Sequence, residues 1–382
     1  MISIETDYDL SYNTLRRFYG IVKGTAPSER TLNILSKYVG FSSYKDFCFN
    51  YPQKKNWAIY QRIYNSLYTD ADYSLKLMEN EFSRQEEYVD LLIVLISGAT
   101  VIKQFLILKK VFNSELLNPE RFNYSELLYF GNCVGPIFRD TKIDFSSLIK
   151  TKFFSVNVYN TFVDICSLNG NYGKYNKKVF NSTKDPKQKL FSNCILQLSN
   201  FLNKKKVYPI LTPIKINDIH PILYGRYIGT LAFLKSEKGI RKKILDFLKL
   251  ISSRKDKVEF LYEFMFALIL ANKISLLKFI VQKTEDYKIS KPYYQEYHYS
   301  LFDLRDTIVK IDNGENADKE IQYLRDNNLF RNSHRSFIEL FISILDYENS
   351  KRKKRKLVEY NKIAKKLNYP IFDEDYCLSY FN

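Results

Sequence analysis

Phe260-Leu-Tyr-Glu-Phe-Met-Phe-Ala-Leu-Ile-Leu-Ala-Asn-Lys-Ile-Ser-Leu-Leu-Lys-Phe-Ile280 carries two apolar patches broken near Asn272-Lys273. The stretch reads as a helix, a tight turn and a second helix. Working outward, the same helical spacing recurs. Leu75, Met78 and Phe82 form one stripe, and Tyr88, Leu91, Leu92, Leu95 and Ile96 another. Phe337, Phe341, Ile344 and Leu345 stripe a late helix, and Tyr360, Ile363, Ala364 and Leu367 the last long one. With only 12 Gly and 10 Pro, the chain has few of the turns that a multi-stranded sheet requires. Helix pairs with short connections predict an all-α fold whose body is an α-helical repeat of the tetratricopeptide-like kind. That repeat's fixed period of about 34 residues is not present, so the likeness is one of architecture. Tyr224-Gly-Arg-Tyr-Ile-Gly-Thr-Leu-Ala232 is its closest fragment, with small residues where paired helices approach closely.

The beginning of the chain has a different character. Leu10-Ser-Tyr-Asn-Thr-Leu-Arg-Arg-Phe-Tyr-Gly20 puts Leu15, Phe18, Tyr19 and Val22 on one helical face and Asn13, Arg16, Arg17 and Gly20 on the other. A second helix has Ser28 as N-cap, apolar Leu32, Leu35 and Val39, and Gly40 as its stop. A third turn starts at Ser42 or Ser43 and buries Phe47. Short helices with a basic, amide-bearing face suit a major groove.

The run Ser11, Thr14-Leu15, Arg17, Gly20, Pro27-Ser28, Thr31-Leu32, Leu35, Gly40 and Phe47 resembles the later part of a Cro/CI-like helix-turn-helix. It is also similar to the N-terminal module of helical proteins from Bacteroidetes-type bacteria. The resemblance implies that the helix near Ser11–Tyr19 is a recognition helix, with Tyr12, Asn13, Arg16 and Arg17 facing bases and phosphates. The alternative is a small helical cap that packs and reads no sequence. The expected organisation is a helix-turn-helix-like module at 1–50, a helical block at 51–168, a basic polar loop at 169–189 and a second helical block at 190–382.

A chain of 382 residues with 45% hydrophobic residues can build a sizeable core. The 31 Tyr and 29 Phe partly reflect AT-rich coding, since Lys, Asn and Ile are also frequent, so aromatic abundance does not by itself signal base stacking. Five scattered cysteines without a C-x-x-C pair fit reduced thiols, mostly buried, in a cytoplasmic protein. No signal peptide opens the sequence, and the longest apolar runs, Leu91–Ile96 and Phe264–Ala271, are too short for a membrane span.

The net charge of +17 is concentrated. Residues 151–257 hold 21 Lys+Arg against 6 Asp+Glu, leaving 38 against 36 in the rest of the chain. A compositional taste for lysine would spread evenly, so this clustering points to a polyanion partner. Three pieces carry it. In Asn169-Gly-Asn-Tyr-Gly-Lys-Tyr-Asn-Lys-Lys178, read as a loop, Tyr172 and Tyr175 alternate with Lys174, Lys177 and Lys178. Lys204-Lys205-Lys206 marks a helix end, where cations favour the carbonyl terminus. An amphipathic helix from about Glu237 to Ser252 buries Ile240, Ile244, Phe247, Leu248 and Ile251 and exposes Lys238, Arg241, Lys242 and Lys249. The denser run Lys351-Arg-Lys-Lys-Arg-Lys356 is offset by neighbouring acids, including Asp346, Glu348, Glu359 and Asp373, and reads as a solvated helix start.

Enzyme signatures are missing. His220, His298 and His334 lie far apart without metal-ligand spacing, and Gly170-Asn-Tyr-Gly-Lys174 is too short to cradle phosphate. No cofactor is expected, although a metal-independent nuclease built from Lys, Tyr and Asp stays open. His220, before Pro221, reads as a cap or packed side chain. The leading expectation is a non-catalytic nucleic-acid-binding regulator or adaptor, with DNA ahead of RNA and a possible protein partner on the repeat surface. The alternatives are a non-catalytic interaction scaffold and a single-stranded RNA-binding factor that stacks bases on Tyr172 and Tyr175.

Overall fold

The computed structural model describes residues 10–11, 13–15, 27–50, 54–83, 85, 87–141, 145–211, 214–215, 218–234, 239–284, 296–326 and 334–381. Helices and turns make up the described residues, with no strand among them. The chain divides into two compact units, Met1–Leu116 and Leu117–Asn382. No described helix is long and apolar enough to cross a membrane.

In the first unit, α1 (Glu29–Tyr38) begins as the sequence predicts: the Ser28 hydroxyl accepts from the Thr31 N–H at 3.3 Å. Its buried face differs from the expected one. Thr31 and Ile34 are buried, Leu32 and Leu35 are half-buried, and Val39 is 54% exposed. Val39 is the C-cap, where the chain leaves the helix and turns through Gly40. Helix α2 (Tyr44–Asn50) starts on Ser43, whose hydroxyl accepts from the Asp46 N–H, and the Tyr44 N–H donates to the Asn33 side chain at 2.7 Å, tying α2 to α1. Phe47 is only half-buried, edge-on to Phe41 at 5.3 Å. Among the described residues this unit also holds α3 (Lys54–Ser66), α4 (Ala71–Leu77), α5 (Tyr88–Val101) and α6 (Phe105–Asn113). Its core holds Met78 and Phe82 of one predicted stripe, whose Leu75 is only half-buried, and all of the other, Tyr88, Leu91, Leu92, Leu95 and Ile96.

The second unit runs through α7 (Tyr124–Asp140), α8 (Asn171–Ser182), α9 (Pro186–Leu202), α10 (Pro221–Ala232), α11 (Ile240–Leu250), α12 (Arg254–Leu270) and α13 (Ile274–Thr284). It continues through α14 (Glu296–Asp312), α15 (Asp318–Asp326), α16 (Arg335–Asn349), α17 (Lys353–Leu367) and α18 (Glu374–Leu378). The opening stretch behaves as read: α12 ends at Leu270, Asn272 takes a left-handed φ of 52°, and α13 follows. Segment 169–189 departs from its reading, because it forms α8 and the start of α9 instead of a loop.

Among the described helices, α10 and α12 pack extensively on each other. Gly225 and Gly229, one turn apart, make the approach possible: a Cβ on Gly225 would lie 2.5 Å from the Phe260 carbonyl oxygen. One on Gly229 would lie 2.8 Å from the Ala267 Cβ. Phe247 packs 3.9 Å from the Tyr224 ring and 4.7 Å from Phe260, so α11 closes over the same pair. The last carbonyls of α12, left without helical partners, accept from Tyr380 (to Ile269) and Tyr376 (to Leu270), each at 2.9 Å. Much of the chain's aromatic content is therefore core. Cys194 and Cys377 are buried, but Cys48, Cys133 and Cys166 are only half-buried, fewer buried thiols than expected.

Candidate binding surfaces

The basic segment is best built one helix at a time. Helix α8 starts on Gly170 as its N-cap and contains one glycine, Gly173, which sits where a Cβ would lie 1.8 Å from the Leu168 carbonyl oxygen. This glycine serves close packing, not a loop. The helix then has two distinct sides. Tyr172, Asn176 and Val179 are buried, while Lys174, Lys177 and Lys178 are exposed on the opposite face. The Tyr172 ring stacks on Tyr159 at 5.0 Å and its hydroxyl donates to the Tyr159 carbonyl at 2.9 Å. Burial pushes the Tyr172 phenol well above its ordinary range. Tyr172 therefore cannot stack on a base, which corrects its expected role; Tyr175 is half-buried.

The second basic piece lies in the turn after α9. Lys204 adopts a left-handed φ of 53° and pairs with Asp373, whose carboxyl is held below the usual range chiefly by that hydrogen bond. Lys205 is exposed, and Lys206 lies 5.1 Å from the Tyr208 ring centre. The third piece is α11, whose buried Ile240, Ile244, Phe247 and Leu248 match four of the five predicted stripe residues; Ile251 is the C-cap and only half-buried. Arg241, Lys242 and Lys249 are exposed, with the Arg241 guanidinium over the Phe279 ring at 5.3 Å. These pieces sit on separate elements: α8 packs on α9, α9 on α10, and α10 on α11. Asn13, helical and exposed, is described; Tyr12, Arg16, Arg17 and Lys238 lie outside the described residues.

Apart from Lys204, which Asp373 holds, the three pieces share a lack of counter-charge. Among the described residues, no carboxylate stands within ion-pairing distance of Lys174, Lys177, Lys178, Lys205, Lys242 or Lys249. The run 351–356 is the opposite case. Lys353 pairs with Glu348 at 3.0 Å, Arg355 with Glu359 at 3.3 Å, and Lys356 with Glu359 at 2.8 Å and Asp346 at 3.5 Å.

A cleft of about 410 Å³ opens within the second unit between α7, the π-helical turn Ser155–Tyr159 with the residues after it, α9, α10 and α12. On its floor Arg226 of α10 grips Glu263 of α12 through two hydrogen bonds of 2.8 Å. The side chains are only 15% and 14% exposed. Burial alone would lower the Arg226 pKa, but Glu263 outweighs it and holds the guanidinium above its ordinary range. One turn before Glu263, the Glu259 carboxylate lines the same cleft and is 2% exposed. The side-chain amides of Asn160 and Gln188 clasp each other through bonds of 2.8 and 2.9 Å.

At the mouth, His220 caps α10, its Nδ1 accepting from the Ile222 N–H at 3.3 Å, and its ring stacks on Tyr124 at 5.0 Å. The predicted capping role of His220 thus matches the geometry. Packing lowers the imidazole's pKa; Asp256 opposes this, while Lys255 and Arg226 reinforce it. A neutral ring is what an accepting Nδ1 requires.

Sequence reasoning passed over Arg226, Glu259 and Glu263. A signal was present: Glu259 and Glu263 interrupt one of the most apolar stretches of the chain, and a carboxylate there demands compensation. No protein-family model, curated protein or solved structure matches the chain.

Proposed function

We propose that the protein is a non-catalytic nucleic-acid-binding adaptor, preferring duplex DNA to RNA, that meets phosphates with the exposed cations of α8, the turn after α9 and α11. The carrying observation is that, Lys204 with its partner Asp373 apart, these cations face solvent with no carboxylate beside them among the described residues, although carboxylates elsewhere do quench a denser basic run. Such uncompensated charge creates a potential that attracts polyanions and steers their approach. Tyr172 takes no part, since its ring belongs to the core. This removes the main support for a single-strand stacking mode. Sequence reading falls to the N-terminal module, through Asn13, Arg16 and Arg17.

The test compares duplex DNA, single-stranded DNA and RNA of equal length at several salt concentrations. Duplex should bind tightest at low salt, and Arg16→Ala with Arg17→Ala should weaken it and flatten any sequence preference. Equal, salt-independent affinity for all three would rule this function out. A second reading, a scaffold for a protein partner, is favoured by the cleft between α7, α9, α10 and α12, which has the polar floor and depth to hold a side chain.

A further inference from the structure

A second cavity of the same unit suits a flat, uncharged guest. It encloses about 290 Å³ between α7, the π-helical turn Ser155–Tyr159, the short turn Ile165–Ser167 and the start of α8. Single π-turns of this kind recur at functional sites. Phe138, Phe154, Val158 and Phe162 form an apolar wall, each less than a tenth exposed. Packing fixes this wall before any guest arrives. Phe138 and Phe154 lie 5.6 Å apart, and Gly135 lets Phe162 come so near α7 that a Cβ there would lie 2.3 Å from its ring. Two opposite charges, Arg139 and Asp164, also line the cavity, and each already has an interaction of its own within the protein. The lining therefore asks for no charge from a guest.

Size narrows the choice further. An apolar cavity of about 150 Å³ accepts one benzene ring, so this one has room for a fused two-ring system. Its polar edge would meet Ser167, whose hydroxyl accepts from the Tyr172 N–H at 3.3 Å and keeps a proton to donate, and the Asn171 amide. The position of the opening matters as much. On α8, Asn171, Lys174, Tyr175 and Lys178 recur at i, i+3, i+4 and i+7 and so share one edge of the helix. Asn171 and Tyr175 line the cavity, and the two lysines between and beyond them are exposed. A nucleotide whose base enters here leaves its phosphates beside cations. Proteins that take a base out of the stack enclose it among aromatic and apolar side chains, and the cost is least for a base without a partner.

We infer that this cavity receives one unpaired base, of purine size, from a bound duplex, while Lys174 and Lys178 hold the flanking phosphates. The inference rests on the nucleic-acid reading above and adds to it a preference for DNA that carries an unpaired base.

The experiment measures the affinity of the full chain for three DNAs: a fully paired duplex, the same duplex with one bulged adenine, and the same duplex with an abasic bulge at that position. The adenine bulge should bind at least about tenfold tighter than either of the others, since only it offers a base to the cavity. Val158→Phe, which fills the cavity, should bring the adenine bulge down to the affinity of the abasic one. Equal binding of the paired duplex and the adenine bulge overturns the inference and leaves the nucleic-acid reading standing. Equal binding of the two bulges also overturns it, because the gain then comes from the bent backbone. A gain that survives in folded Val158→Phe does the same. Failure of all three DNAs to bind overturns the nucleic-acid reading, and this inference with it. The comparison of DNAs on the unaltered protein decides the matter even if Val158→Phe fails to fold.

Discussion

Two basic regions of the second unit invite comparison. Residues 351–356 are six consecutive cations, the densest such run in the chain, yet Glu348, Asp346 and Glu359 hold three of them within helices α16 and α17. The central segment spreads its lysines over α8, the turn after α9 and α11, and most meet no acid. Charge density along a sequence is therefore a poor measure of charge available to a partner. What counts is whether acids fall within reach, and in α16 and α17 the helical spacing places Glu359 four residues after Arg355 and three after Lys356.

The contrast is sharpened most by charge reversal. Replacing Lys174, Lys177 and Lys178 with Glu should lower duplex affinity by about a hundredfold or more at low salt, because three phosphate contacts turn repulsive. Neutralising Lys353, Arg355 and Lys356 to Gln should change it less than about threefold, since those cations are already engaged. Equal losses in a filter-binding assay would erase the distinction between the two regions.

A buried pair should respond differently from the exposed ones. Arg226→Met leaves Glu263 charged and without its guanidinium partner, and should cost about 3 kcal/mol in denaturant unfolding, the lower end for a broken buried pair. A loss under about 1 kcal/mol would place that pair with the surface pairs.

Smaller still is the effect of acid. His220 has its pKa lowered on folding, chiefly because packing such as the stack on Tyr124 partly desolvates its ring, so the folded state resists its protonation. Its contribution is complete above the unfolded value of about 6.5 and is lost as pH falls through the lower folded value. Because the residue is exposed at the cleft mouth, the loss should stay below about 1 kcal/mol and should vanish in His220→Asn, which keeps a cap. An acid-limb stability difference that persists in that variant would assign it elsewhere. Glu359→Gln should have the least effect, about 0.5 kcal/mol or less, erased by salt.

Much of the helical layout was legible from spacing alone. The break at Asn272, the buried stripe of α11, the cap at His220 and the close approach at Gly225 and Gly229 all follow from local pattern. Helix α8 did not, because Gly170, Gly173 and a polar composition mimic a loop. Only the three-dimensional neighbour Leu168 explains Gly173, and the same misreading left Tyr172 outside when its place is inside. The cleft was hidden for another reason: its polar groups come from positions as far apart as Tyr124 and Glu263, and no sequence window contains them together. Pairing also escaped the sequence in one detail. Asp373, expected to offset the 351–356 run, serves Lys204 instead.

The salt dependence of duplex DNA binding tests the central claim most directly. With about six phosphates engaged, the logarithm of the affinity should fall against the logarithm of salt with a slope near −5, made shallower by about 3 when Lys174, Lys177 and Lys178 become Gln. A slope near zero, or one that the α8 substitutions leave unchanged while neutralising 353, 355 and 356 reduces it, would contradict the account.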